Sequence, residues 1–180
     1  MSKTLSKKTV RLTKETAFIL LTVIGAVVLP QIFHGLGVWF GVGGKLGQIF
    51  LPMYVPILII GVYRGSISGA IAGLLAPIIS FAFTKMPSST LLPFITLELV
   101  ATGLFAGVFV KVKMPVILRI LSIQVVAKLV RLAAFAIFLY FTKGKVGMVV
   151  FNGVLISIPG VLLQLALLTI LLMRKERKNA

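Results

Sequence analysis

The chain has 180 residues, 59% apolar and only 12% charged, and its mean hydropathy is +1.14; no soluble core of this size hides so much apolar surface, so lipid must cover it. Its formal charge of +16 does not read as a nucleic-acid footprint, because the cations stand between and beside long apolar runs and form no single basic face. The absence of cysteine excludes disulfide and thiolate chemistry, and three acidic residues with one His leave almost no material for a metal site or a carboxylate pair.

The N-terminal stretch, residues 1–15, carries Lys3, Lys7, Lys8, Arg11 and Lys14 and then gives way to an apolar run. A signal peptide begins in the same way, but the run from Ala17 to Phe33 exceeds a usual signal core and more spans follow, so it reads as a retained first span over 16–33. A Gly-rich outer segment from His34 to Gly47 comes next. Spans are expected as roughly 17–25 apolar residues between charged or turn-forming breaks. The second is predicted over 48–63 and ends at Arg64. The third covers 66–84, closed by Lys85-Met86-Pro87-Ser88-Ser89. The fourth covers 91–110, ended by Lys111, Lys113 and Pro115. The fifth covers 117–142, ended by Lys143-Gly144-Lys145. The sixth covers 147–173, and the basic tail 174–180 follows it.

The reading is therefore an all-α membrane protein: one membrane domain of six transmembrane helices, 16–173, with short loops and both termini cytoplasmic. With the N-terminus inside, the inner segments hold 13 of the 19 basic residues and the outer segments 4, namely Lys45, Lys85, Lys143 and Lys145. That asymmetry follows the positive-inside bias. Lys128 and Arg131 lie inside the fifth span.

Small residues mark the helix faces. Gly61, Gly65, Gly69 and Gly73 recur every four residues, and Ala101, Gly103 and Gly107 follow in the fourth span. Such residues let backbones approach closely in lipid. Close packing within the bundle is the first explanation, and a docking face for a further membrane subunit is the sharper one.

Charged groups at bilayer depth cost about 2.5–3.5 kcal/mol each on insertion scales and usually mark function. Glu98, Lys128 and Arg131 are such groups. At 1.5 Å per residue, Glu98 lies roughly 10 Å and Arg131 roughly 16 Å below the outer helix ends. Asn152 sits about one turn into the sixth span and Gln164 near its middle. Gln124, Lys128 and Arg131 are spaced i, i+4, i+7 and so share one helix stripe. These groups are expected to line one cavity open to the outer surface. Two cations against one carboxylate leave about one positive charge, which suits an anionic ligand that Arg131 grips in bidentate fashion. The alternative is a buried Glu98–Arg131 ion pair with Lys128 snorkelling. Trp39 and His34, in the first outer segment, are either an interfacial belt residue and a loop polar group or part of the cavity wall. Met53, flanked by Pro52 and close to Pro56, opens the second span, where proline frees backbone carbonyls that protein or a water-lined cavity must satisfy.

No Gly-rich phosphate loop, Gly-x-Ser-x-Gly elbow or His-Glu-x-x-His occurs. An enzyme is not expected, no cofactor is implied, and ATP hydrolysis, where used, comes from partners.

Leu51-Pro52-Met53-Tyr54-Val55-Pro56, followed by Gly61, Gly65, Gly69, Gly73 and Pro77, then Met86-Pro87, Glu98, Gly103 and Gly107, resembles the substrate-binding (S) subunits of energy-coupling factor (ECF) vitamin importers. Size, span number and short loops are similar as well, over roughly residues 15–173. The resemblance implies a bacterial cytoplasmic-membrane subunit that captures a vitamin or related micronutrient from outside. It implies work with an integral coupling (T) subunit and two cytoplasmic ATPases, with the ligand near the outer face. Many family members dock the coupling subunit through an Ala-x-x-x-Ala motif on the first span, and here Thr22 and Ala26 stand at that spacing. The net-positive cavity points to a carboxylate-bearing ligand, pantothenate first and niacin second. The competing reading is a self-contained small-solute transporter or channel.

Overall fold

A computed structural model describes residues 2–43, 45–142 and 158–179. Every element among them is helical: α1 (Ser2–Trp39), α2 (Lys45–Phe50), α3 (Tyr54–Arg64), α4 (Ser66–Thr84), α5 (Leu92–Phe109), α6 (Val116–Thr142) and α7 (Ile158–Asn179). Four stretches are long and apolar enough to cross a membrane: Leu12–Trp39, Ser66–Thr84, Leu92–Phe109 and Val116–Tyr140. Their outer faces are apolar, with Leu21, Ile24 and Val28 of α1 and Ile117, Leu132 and Ile137 of α6 exposed. A helix that presents such residues outward is covered by lipid.

Helices α4, α5 and α6 fall where the sequence predicts the third, fourth and fifth spans. Two other expectations are corrected. The first span does not stop at Phe33, because α1 runs on through Pro30 and His34 to Trp39. His34 and Trp39 therefore stand on a helix and not in an outer loop. The chain then turns through Gly41, whose φ of 73° suits glycine. The second span is not one helix: α2 ends at Phe50 and α3 begins at Tyr54. Pro52 lacks the N–H that would bond one turn back, and it disfavours helical geometry at the residue before it. Leu51 leaves the helix by a left-handed φ of 48°. The amide of Leu51 still bonds Gly47 O at 3.2 Å and that of Tyr54 bonds Leu51 O at 3.1 Å, so part of the broken backbone is satisfied locally. The first part of the predicted sixth span, 147–157, lies outside the described residues.

Helices α3 and α5 form the middle of the bundle. One core joins Val23 and Ala26 of α1, Tyr54, Ile57 and Ile60 of α3, Ala72 and Ala76 of α4 and Leu99 of α5. A second joins Leu58 and Val62 of α3, Ala106 of α5, Ile120 and Ile123 of α6 and Leu168 and Leu172 of α7. Helix α3 is thus buried on two faces, as its unbroken apolar sequence requires.

The glycines explain how α3, α4 and α5 sit so close. A side chain added at Gly69 or Gly103 would run into the backbone of the other, and one at Gly73 would run into the Leu99 peptide. A Cβ at Gly61 would lie 2.6 Å from Gly103 O. This is small-residue packing of the kind membrane helices use. Gly65 alone joins α3 to α4, with φ 102°, a value that strains any other residue. At this same end Arg64 bonds Glu15 of α1 at 2.7 Å and covers the Phe18 ring at 4.1 Å. Lys175 of α7 donates to Val62 O beside them.

Candidate functional site

A cavity of about 590 Å³ opens at the end of the bundle opposite Arg64 and Lys175. That volume is in the range of small-molecule sites. Its walls are Pro30 and His34 of α1, Gly47 of α2, the break Leu51–Met53 with Tyr54, Ser80 of α4, the α4–α5 connection Lys85–Ser88, and Leu91 and Ile95 at the start of α5. Pro30 within α1 and the break at Leu51–Met53 thus face the same space, and the break is irregular backbone of the kind expected to line a cavity within membrane depth.

Most of this lining is apolar, and its few polar groups are distinct. The His34 ring packs against Gly47, where a Cβ would lie 2.7 Å from Nε2, and its Nδ1 is buried with no partner among the described residues. Tyr54 is only 3% exposed, and its hydroxyl is buried on the Glu98 side of the ring, away from the cavity. Ser80 shares a 3.5 Å contact with the Thr84 hydroxyl, and Thr84 in turn accepts from the Met86 amide at 3.2 Å. Thr84 therefore ties the last turn of α4 to the connection that forms the cavity wall. Lys85 takes a left-handed conformation, φ 58°, and its ammonium lies 5.6 Å from the Phe81 ring centroid.

Behind Tyr54 lies an ion cluster. Glu98 of α5 is fully buried. One carboxylate oxygen accepts from Arg131 Nη1 at 2.9 Å and the other accepts from Lys128 Nζ. Lys128 Nζ stands 5.5 Å from the Tyr54 ring centroid. The Arg131 Nε is buried without a partner among the described residues. One turn further along the α6 stripe, Gln124 donates to Gln164 Oε1 of α7 at 3.0 Å, while Gln164 Nε2 is unpaired among those residues. By formal charge the cluster is +1, and it sits where low dielectric leaves charges poorly screened.

The structure brings Glu98, Lys128 and Arg131 together, as the stripe on α6 implies, but none of the three lines the larger cavity. Lys128 and Gln124 instead line a second cavity of about 330 Å³ between α6 and α7, with Val161 and Leu165 opposite. The expectation of one cavity shared by all the polar groups is corrected: the Tyr54 ring stands between the apolar cavity and the charges. His34 and Met53 do line the larger cavity, and Gln164 is buried with Gln124 away from it. Trp39 is 80% exposed against Phe40 and lines neither. Asn152 lies outside the described residues. Ala26 is buried in the chain's own core and Thr22 bonds the Phe18 carbonyl of its own helix, so this pair presents no joint outward docking surface. Sequence reasoning missed Tyr54, Ser80 and Lys85. A polar ring between Pro52 and Pro56 was a usable signal for Tyr54, whereas Ser80 and Lys85 stand out only once α4 is seen to end beside α1.

The fold and site define a helical membrane protein with an apolar cavity at one end and a buried, net-positive ion cluster beneath it. No family model, curated protein or solved structure matches the chain.

Proposed function

We propose that this chain is the substrate-capture subunit of an ATP-driven, ECF-type importer of a vitamin or related micronutrient in a bacterial cytoplasmic membrane. The observation that carries the reading is the cavity of about 590 Å³ at the end away from Arg64, Lys111, Arg174 and Lys175. With basic residues held inside, that end faces outward, where a scavenged solute arrives. In this arrangement α1, the broken α2–α3 pair, α4, α5 and α6 make five spans and a segment ending in α7 makes the sixth, with both termini cytoplasmic. An integral coupling subunit and two cytoplasmic ATPases supply the energy, and the ligand is small enough for the cavity and carries a carboxylate, as pantothenate does. The α2–α3 break supports the same reading, because discontinuous helices in membrane transporters gather around solute sites.

The test is mass spectrometry of small molecules extracted from the detergent-purified chain, with co-purification of its partners. A near-stoichiometric micronutrient together with a coupling subunit and ATPases is the expected result. An empty chain that transports a solute in liposomes by itself would establish a self-contained transporter instead.

A further inference from the structure

At the end of the bundle away from the cavity, two lysines stand close enough for their charges to act on one another, with no carboxylate between them. Lys111 lies two residues beyond the apolar stretch Leu92–Phe109, at the level where hydrocarbon gives way to lipid headgroups, and it is exposed. Lys175 of α7 is half-buried over the C-terminal end of α3. Its ammonium donates to Val62 O, one of the last carbonyls of that helix, and stands 5.9 Å from the Tyr63 ring centroid. Of the described side chains only Glu15 and Glu98 are carboxylates, and both are engaged elsewhere, Glu15 by Arg64 and Glu98 by Lys128 and Arg131. Among the described residues, therefore, neither Lys111 nor Lys175 is paired with an acid.

Like charges held together outside full solvation repel unless a counter-charge reaches them. Basic pockets between the ends of membrane helices bind anionic headgroups for this reason. The apolar part of a lipid is matched as well. Tyr63 is exposed, and so is Ile59, one turn deeper on the same face of α3, so an apolar track leads from the lysines into the bilayer. A soluble anion gains nothing from that track. We infer that the Lys111–Lys175 pair binds an anionic phospholipid, with the headgroup phosphate between the two ammonium groups and an acyl chain along Tyr63 and Ile59. The bound lipid ties together the ends of α3, α5 and α7. A zwitterionic lipid fits less well, because its own cation comes near the same lysines. The site is separate from the solute cavity, and it does not depend on which side of the membrane that cavity faces.

The test is native mass spectrometry of the full chain in neutral detergent, with dioleoylphosphatidylglycerol titrated against dioleoylphosphatidylcholine. Phosphatidylglycerol is expected to bind more tightly and to raise Tm at concentrations where phosphatidylcholine does not. Lys111→Gln and Lys175→Gln are each expected to weaken its binding about fivefold, and the double variant to abolish the preference. Lys111→Gln breaks no described side-chain hydrogen bond, so it tests the site even where Lys175→Gln, which weakens the bond to Val62 O, folds poorly. Lys14→Gln removes the same charge from α1, which packs on α3 and α4, and is expected to leave lipid binding unchanged. An equal loss from Lys14→Gln would show diffuse attraction to a basic surface and overturn the site, as would equal binding of the two lipids. Displacement of the lipid by inorganic phosphate or glycerol phosphate would assign the pair to a soluble anion instead. A polyglutamate peptide that binds through the same two lysines, with no preference between the lipids, would assign it to an acidic protein, and either result overturns the lipid assignment.

Discussion

Replacing Glu98 by Gln removes the one negative charge in the ion cluster and keeps the side-chain volume. Arg131, 7% exposed, then loses the partner it holds at 2.9 Å, and its Nε is already unpaired among the described residues. Arginine does not shed its proton in a protein, so the cation stays buried and uncompensated. Lys128 is better placed to adapt, because its side chain is 26% exposed and lines the smaller cavity between α6 and α7. The cost is therefore assigned mainly to Arg131, at about 3–5 kcal/mol, the usual penalty for breaking a buried pair by removing one partner. For a chain of this length that corresponds to a fall in Tm of roughly 6–20 °C. The assay is thermal unfolding of the detergent-solubilised full chain, followed by circular dichroism at fixed pH and detergent. A second variant, Glu98→Gln with Arg131→Met, removes both buried charges, and it is expected to recover most of the loss. A Glu98→Gln variant that melts within about 2 °C of the parent, or a double variant that loses stability additively, would refute a desolvated cluster.

A Cβ added at Gly103 would lie 2.2 Å from Gly69 O. Gly103→Ala is therefore expected to cost at least about 1–3 kcal/mol by overpacking, while Gly35→Ala, with nothing within 4 Å of the added carbon, leaves Tm nearly unchanged. Lys175, at the opposite end from the cavity, is held below the ordinary lysine value by burial and then by the charge of Lys111. The unfolded chain thus binds more protons at this site than the folded one between the two values, so its contribution rises as pH climbs toward the ordinary lysine range. Lys175→Met is expected to flatten that part of the stability profile in paired denaturation curves; an unchanged slope would show that Lys175 is solvated.

The helices themselves are legible in the sequence because their causes are local. Runs of apolar residues between charged or proline-containing breaks set the limits of α4, α5 and α6; of the glycines spaced four apart, Gly61, Gly69 and Gly73 mark close contacts, whereas Gly65 is the turn between α3 and α4. The stripe of Gln124, Lys128 and Arg131 likewise follows from helical periodicity, and so does the expectation that Glu98 is important. Proline is harder to read. Pro30 is absorbed into α1 with no break, whereas at Pro52 the preceding Leu51 turns left-handed and the second span splits, although both prolines line the same cavity.

What only the tertiary structure decided is which polar groups share a space. Depth along a helix placed Glu98 and Arg131 at similar levels but said nothing of the ring between them and the cavity. Tyr54 occupies that position because α3, once freed by the α2–α3 break, packs between α1, α4 and α5, and its rotation about the bundle is fixed by packing on both faces. Ala26 shows the same limit: four-residue spacing with Thr22 fixes a common side of α1, but whether that side meets lipid, a partner or α3 depends on how the helices pack. Composition determined that this chain belongs in a bilayer, since lipid is the one solvent that tolerates its surface. The division between an apolar cavity and a sealed ion cluster comes from contacts between residues distant in the chain, and no local pattern encodes them.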